Sequence, residues 1–269
     1  MNINCNNDFD SVNLFSDAAG DRERLARITD NADVLDILSY DPDVRTRVEV
    51  ADNLSTPPEA LIRLLSDPYD HVVSCALRNT STPMSALEDY LMNNDIFYGC
   101  AALHNKTLSP ELISKYYNRV ETVLHSPEFE SEWFDGVYDD WYDDFLDDLA
   151  DNPNTPMSIL DEISEIDNEH VWGSIVMRKD TPADLLEYIA GKTEDKGTLW
   201  DIAEHPNATE GVFLWLIDNA YSDDDVYQTI LDYPNLSPEF LTTMYRECED
   251  IRDEIREHPN YPEDAEDGE

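Results

Sequence analysis

The chemistry this chain can do is most concentrated between residues 128 and 151, where Glu128, Glu130, Glu132, Asp135, Asp139, Asp140, Asp143, Asp144, Asp147, Asp148 and Asp151 stand without one lysine or arginine among them. Dense carboxylates serve acid–base catalysis, metal ligation or recognition of positive charge. Paired acids are so abundant here that no pair stands out as a glycosidase dyad. A calcium loop needs alternating acids, a glycine and a closing glutamate; Asp223, Asp224 and Asp225 are consecutive and point in different directions. Recognition of a cationic partner, or a merely solvated face, is what remains.

From Tyr138 onward the pattern is helical. Tyr138, Trp141, Tyr142, Phe145, Leu146 and Leu149 recur at three- and four-residue steps, and the aspartates fill the remaining positions. Acids four apart on a helix repeat about every 6 Å, comparable with the step between phosphates along a nucleic-acid strand. Such a ladder costs roughly 0.2–0.5 kcal/mol per like-charged pair, a cost that a binding role would explain. The expected partner-binding set is therefore the eleven acids named above, with the aromatics mainly on the packing face.

The whole chain has the same bias. Its 269 residues carry 61 acids and 17 bases, a formal charge of −44, with 41% apolar residues to build a core. Residues 1–125 hold 20 acids and 10 bases, and residues 126–269 hold 41 and 7. This surface repels phosphates and anionic lipid, so the expected partner is a basic protein, one that itself binds nucleic acid, with no direct nucleic-acid or membrane contact. No apolar run is long enough to span a bilayer and the first residues lack a secretory pattern, so a cytoplasmic location is expected, the host cytoplasm if the protein is phage-encoded.

The elements that must position these acids are announced by repetition. Asp52-Asn53-Leu54-Ser55-Thr56-Pro57, Arg78-Asn79-Thr80-Ser81-Thr82-Pro83 and Asp151-Asn152-Pro153-Asn154-Thr155-Pro156 are one motif, with degenerate copies marked by Asn105, Arg178, His205, Tyr233 and His258. The markers are 26 or so residues apart, except that Asn105 to Asn152 is longer by about 21. Ser or Thr before proline predicts an N-cap followed by proline at the first helical position, with Thr56 and Glu59 forming a capping box. Apolar stripes follow, such as Leu61, Leu64 and Leu65, then an acidic turn, then a second stripe, as in Val44, Val48 and Ala51 or Val72, Ala76 and Leu77. Two helices per repeat, scarce glycine and no alternating segment predict an all-α array of about eight two-helix repeats, an α-solenoid with an acidic-aromatic insertion.

The run from Asp41 through Val44-Arg45-Thr46-Arg47-Val48 to Asn53, continuing through Ser55-Thr56-Pro57-Pro58-Glu59-Ala60-Leu61, resembles a HEAT-like repeat of the variant leucine-rich type. The resemblance spans roughly residues 25–262 and is strongest between 31 and 110. It implies a curved right-handed superhelix of short helices but little about function, such arrays being mostly binding scaffolds. The family's arginine after the second-helix valine is present as Arg45 and lost in later copies. Only Cys5 stands where some relatives carry a cysteine cluster, so no cluster cofactor is implied. The expected divisions are an N-terminal cap (1–24), N-terminal repeats (25–125), the insertion (126–150), C-terminal repeats (151–262) and an acidic, disordered tail (263–269).

Other chemistry finds no foothold. Phosphate loops, HExxH, GxSxG and kinase motifs are absent; Cys5, Cys75, Cys100 and Cys248 lie far apart; and His104, His205 and His258 fall in or beside repeat motifs, where structural work is expected. The expectation is a protein without catalytic residues, cofactor or metal. In its acidity it is similar to phage anti-restriction and anti-CRISPR inhibitors that mimic nucleic acid. A generic scaffold binding through its concave face, and a halophilic protein with a merely solvated surface, are the alternatives.

Overall fold

The computed structural model describes residues 19–126, 137–219 and 224–262, and all regular structure among them is helical. The helices are α1 (Ala19–Ile28), α2 (Ala32–Leu38), α3 (Val44–Asp52), α4 (Pro58–Leu64), α5 (Asp70–Arg78), α6 (Met84–Asn93), α7 (Pro110–Leu124), α8 (Val137–Asp151), α9 (Met157–Ser164), α10 (Glu169–Val176), α11 (Ala183–Ala190), α12 (Lys196–Glu204), α13 (Glu210–Asn219), α14 (Asp224–Leu231), α15 (Pro238–Glu247) and α16 (Arg252–Glu257). Two 3₁₀ helices, Ile96–Tyr98 and Cys100–His104, lie between α6 and α7. None of these helices is long and apolar enough to cross a membrane. The chain forms two compact units, Met1–Pro156 and Met157–Glu269. The division falls at 156/157, after the acidic-aromatic stretch, and α8 belongs to the first unit.

Helices of successive repeats pack in rows. In the first unit α1, α3, α5, the 3₁₀ helix Cys100–His104 and α8 are consecutive neighbours; in the second, α10, α12 and α14 form one row and α11, α13 and α15 another. The rows are held by the motif markers. Asn53 donates to the carbonyls of Ala26 and Thr29, Asn79 to those of Ala51 and Asn53, Asn105 to those of Leu77 and Asn79, and Asn152 to those of Leu103 and Asn105. Each of these asparagines also accepts, through Oδ1, the backbone N–H two residues on. One side chain thus closes its own turn and satisfies carbonyls that the preceding helix end leaves open.

In the second unit the same job passes to other residue types. His205 Nε2 meets the Arg178 carbonyl at 2.6 Å while its Nδ1 faces the Asn207 N–H; His258 repeats this with Tyr233 and Asn260. A carbonyl can only accept and an N–H only donate, so both rings are fixed as the neutral Nε2–H tautomer. Tyr233 donates its hydroxyl to the carbonyls of Ala203 and His205. A second row runs beside the first: Asn154, Asn207 and Asn260 donate to the carbonyls of the residues one and three past the preceding marker. Thr29 is a further rung that the sequence reading missed. Its hydroxyl accepts from Asn31, as Asn53 accepts from Ser55.

Three expectations change. Thr56 and Thr82 do not cap the next helix; they donate to the carbonyls of Val50 and Ala76, six residues back, and Pro57 and Pro83 take the N-cap place without a side-chain bond. Thr155 and Thr181 do the same. In the copies one residue longer Ser109 and Ser237 do cap, accepting from Leu112 and Phe240, with proline next, and Thr209 accepts from Val212 at 3.5 Å ahead of α13. The N-cap is always four residues after the marker, so a Thr-Pro pair reaches it one residue late. The second-helix stripe of α3 is also displaced: Val44 and Val48 are half-exposed, while Arg47, Val50 and Ala51 are buried. Arg47 can be buried because Asp67 pairs with its Nε at 2.6 Å and the Asp41 carbonyl accepts from its Nη1.

Third, the second helix of the copy before Asn105 is not α-helical. Tyr116 donates to the Ile96 carbonyl at 2.6 Å, and its ring packs so tightly over Gly99 that any Cβ there would run into it. The chain turns in 3₁₀ geometry instead. Gly99→Ala is expected to destabilise the first unit by about 1–3 kcal/mol, read as a lowered urea midpoint at unchanged slope.

Candidate functional site

The acidic helix α8 exists as the apolar spacing predicts, and it fills the second-helix place of its repeat, ending at Asp151 directly before the marker Asn152. The extra length of this repeat lies in α7 and α8, fifteen residues each, and in the connection between them. Phe145, Leu146, Leu149 and Ala150 are wholly buried. Phe145 is the centre of an aromatic cluster: Trp141 stacks on it at 5.5 Å, Tyr117 at 6.4 Å, and Tyr116 meets it edge-on at 5.8 Å. Trp141 also packs against Phe97 at 4.7 Å and donates to its carbonyl, and Tyr142 donates to Glu121 at 2.8 Å. Lys106 reaches the Asp151 carbonyl at the helix C-terminus, where a cation is favourable. The acids from Trp141 onward therefore ride on a stretch of helix held from Trp141 to Asp151.

The eleven expected acids divide. Asp140, Asp143, Asp144 and Asp151 are exposed. Asp147 and Asp148 are half-buried, contrary to the single solvated face expected from the sequence. Asp139 lies in the first turn of α8, and Glu128, Glu130, Glu132 and Asp135 lie outside the described residues, as do Trp133 and Phe134. Asp148 follows Trp141 by seven residues and Phe145 by three, which puts it on the packing side; that spacing was the available signal. Its carboxyl stands 3.4 Å from His104 Nε2. Burial foremost, then the neighbouring Asp144, Asp151 and Asp147, push it up to about 7.

Cations elsewhere in the first unit are largely spent on internal contacts. Arg22 pairs with Asp41, Arg27 with Glu23 and Glu49, Arg47 with Asp67, Arg63 with Asp36 and Lys115 with Glu88. Arg119 donates to the carbonyls of Leu91 and Asn94. Among the described residues no three of His, Cys, Asp and Glu converge to hold a metal ion. Cys75 and Cys248 are buried, and burial pushes the Cys100 thiol up to about 12, so it is no thiolate at neutral pH. In the second unit a shallow cleft of about 250 Å³ is lined by Asp161, Ser164, Glu165, Asp184, Leu185 and Tyr188; its serine hydroxyl donates to the Asp161 backbone carbonyl.

No family model matches the chain, and no curated protein matches it significantly. The site must be read from its own geometry. That geometry offers a fixed row of exposed negative charge.

Proposed function

We propose that this protein is a non-enzymatic binding protein that takes a basic protein surface on the exposed carboxylates of α8, in the manner of a nucleic-acid backbone. In this reading the stacked helix pairs are a right-handed α-solenoid of the HEAT-like type, and the partner is a DNA- or RNA-binding protein, a host-defence protein in the sharpest version. One observation carries it: Asp140, Asp143, Asp144 and Asp151 are exposed on a helix whose opposite face is locked by the Phe145 cluster. Preorganised charge loses little entropy on binding. Asp140 and Asp144 lie about 6 Å apart along the axis, and Asp151 about 10 Å further on. The net charge of −44 adds fast, salt-sensitive association.

A second reading has its own support. Met177, at the C-cap of α10, and Trp200, within α12, are 69% and 45% exposed and give a scaffold apolar surface to bind through. Capture of partners from lysate at low and high salt, then release of duplex DNA from the captured protein, separates the two. The triple variant Asp140→Asn, Asp143→Asn, Asp144→Asn is expected to lose at least tenfold in affinity and most of the DNA release. Unchanged binding and release would discard the mimic, and loss in Trp200→Ala alone would favour the scaffold.

A further inference from the structure

Cations are scarce in this chain, and several of them cover its exposed aromatic rings. The exposed aromatics among the described residues are Tyr40, Tyr69, Tyr98, Tyr188 and Trp200. The Arg63 guanidinium lies 3.8 Å from the centre of the Tyr40 ring, and Arg47 and Lys192 stand 5.5 Å from those of Tyr69 and Tyr188. The Arg63 seat is the most complete. Asp36 and Tyr40 stand four residues apart, and Arg63 reaches in from α4 to stack on the ring while its Nη2 donates to the Asp36 carboxylate at 2.6 Å.

Trp200 and Glu204 repeat that pairing on α12 without an arginine of the chain between them. They are four residues apart, on one face of the helix. Among the described residues no cation lies over the Trp200 ring, and Glu204 forms no ion pair. The indole N–H of Trp200 is also unanswered by them, whereas Trp141 and Trp172 donate theirs to the carbonyls of Phe97 and Ser164. Tyr98 is uncovered too, but the carboxylate beside it, Asp95, is occupied by the Phe97 N–H. Rungs set the helices next to α12 in register. His205 meets the Arg178 carbonyl, and Tyr233 donates to the carbonyls of Ala203 and His205. Met177 and Asp232, each directly before its marker, therefore flank Glu204, and Gly173 is level with Trp200. Gly173 adds no side chain to this surface, and a Cβ there would meet nothing nearer than Thr198 Oγ1 at 3.8 Å.

We propose that Trp200 and Glu204 seat an arginine of the basic partner, the guanidinium stacking on the indole and donating edgewise to the carboxylate, as Arg63 does within the chain. This rests on the reading of a basic partner and adds the side chain recognised; it does not use α8. A planar guanidinium can lie on a ring and still present its N–H fork to a carboxylate, whereas a compact ammonium has to divide itself between the two. A large ring with an open face and an open donor is the usual anchor of an interface, and Met177 offers apolar surface beside it. A nucleic-acid base could stack on the same ring, but its phosphates would meet Asp201, Glu204 and Asp232.

The test follows the tryptophan indole ¹H–¹⁵N resonances of the full chain, with that of Trp200 assigned through Trp200→Phe. The probes are a short peptide alternating arginine with serine, its lysine counterpart and a single-stranded oligonucleotide. The Trp200 resonance is expected to shift and saturate with the arginine peptide while buried Trp172 stays still, and to report about threefold weaker binding of the lysine peptide. Glu204→Gln is expected to weaken the arginine peptide at this site by about threefold or more, and the α8 triple variant to leave the site unchanged. A still Trp200 resonance, equal affinity for the two peptides, an unaffected Glu204→Gln, or a response to the oligonucleotide alone would each overturn the proposal. Shifts of the α8 amides with the same peptide report on α8 separately, so either site can fail while the other stands. The wild-type resonances decide the matter even if a variant folds poorly.

Discussion

Replacing Asn105 by aspartate is expected to cost the first unit about 3–5 kcal/mol, the range for a buried charge without compensation. Asn105 is fully buried, and its amide donates to the carbonyls of Leu77 and Asn79 at 3.1 and 3.0 Å. Aspartate keeps the shape and the oxygen that accepts from Thr107, but puts a carboxylate oxygen against two carbonyl oxygens. Both acceptors lose their donor at once. Urea unfolding would show a lowered midpoint, and amide exchange would accelerate on both sides of the rung, in α5 and the 3₁₀ helix. His205→Asn is the informative control. The imidazole already donates outward and accepts from two residues on, which is the asparagine pattern, so this swap is expected to cost no more than about 1 kcal/mol through lost ring packing. Equal damage from both would refute the view that these positions are defined by hydrogen-bond valence.

The second large effect is expected from Phe145→Ala, at about 3–5 kcal/mol. The ring is fully buried and touches Tyr116, Tyr117, Trp141 and Tyr142. Truncation leaves a cavity under α8 that the surrounding aromatics cannot fill without abandoning the Trp141 and Tyr142 hydrogen bonds. Near-UV circular dichroism should lose the aromatic signature before helix content falls, and α8 should exchange faster than α3 or α5. Uniform loss of all helices would mean that α8 is not a separable layer on the first unit.

Helix positions were legible in the sequence because apolar spacing and turn residues agree. Leu61, Leu64 and Leu65, or Leu185, Leu186 and Ile189, lie buried where the pattern puts them. Errors arose where a polar group does an apolar group's work. Arg47 counts as exposed in any hydrophobic pattern, yet Asp67 and the Asp41 carbonyl let it replace the expected valines in the core. Thr56 looks like a cap because a proline follows, but a donor six residues past an open carbonyl has a better partner behind it. Thr29 went unseen because it lacks the asparagine and proline that spell the motif elsewhere. At the candidate site, the acids were assigned to one face by type, although the step from Trp141 and Phe145 to Asp148 already placed that residue inward. Which acids stay outside depends on what α8 packs against, and local sequence does not carry that.

The rungs between successive turns have a consequence for descent. A position that needs only one outward N–H or O–H donor can be filled by asparagine, histidine or tyrosine, as at Asn79, His205 and Tyr233, while the backbone keeps its path. Substitution among these types changes letters without changing the connection, so related chains can diverge in wording faster than in architecture. Kinship among such arrays is better sought in which main-chain oxygens are answered than in which amino acids answer them.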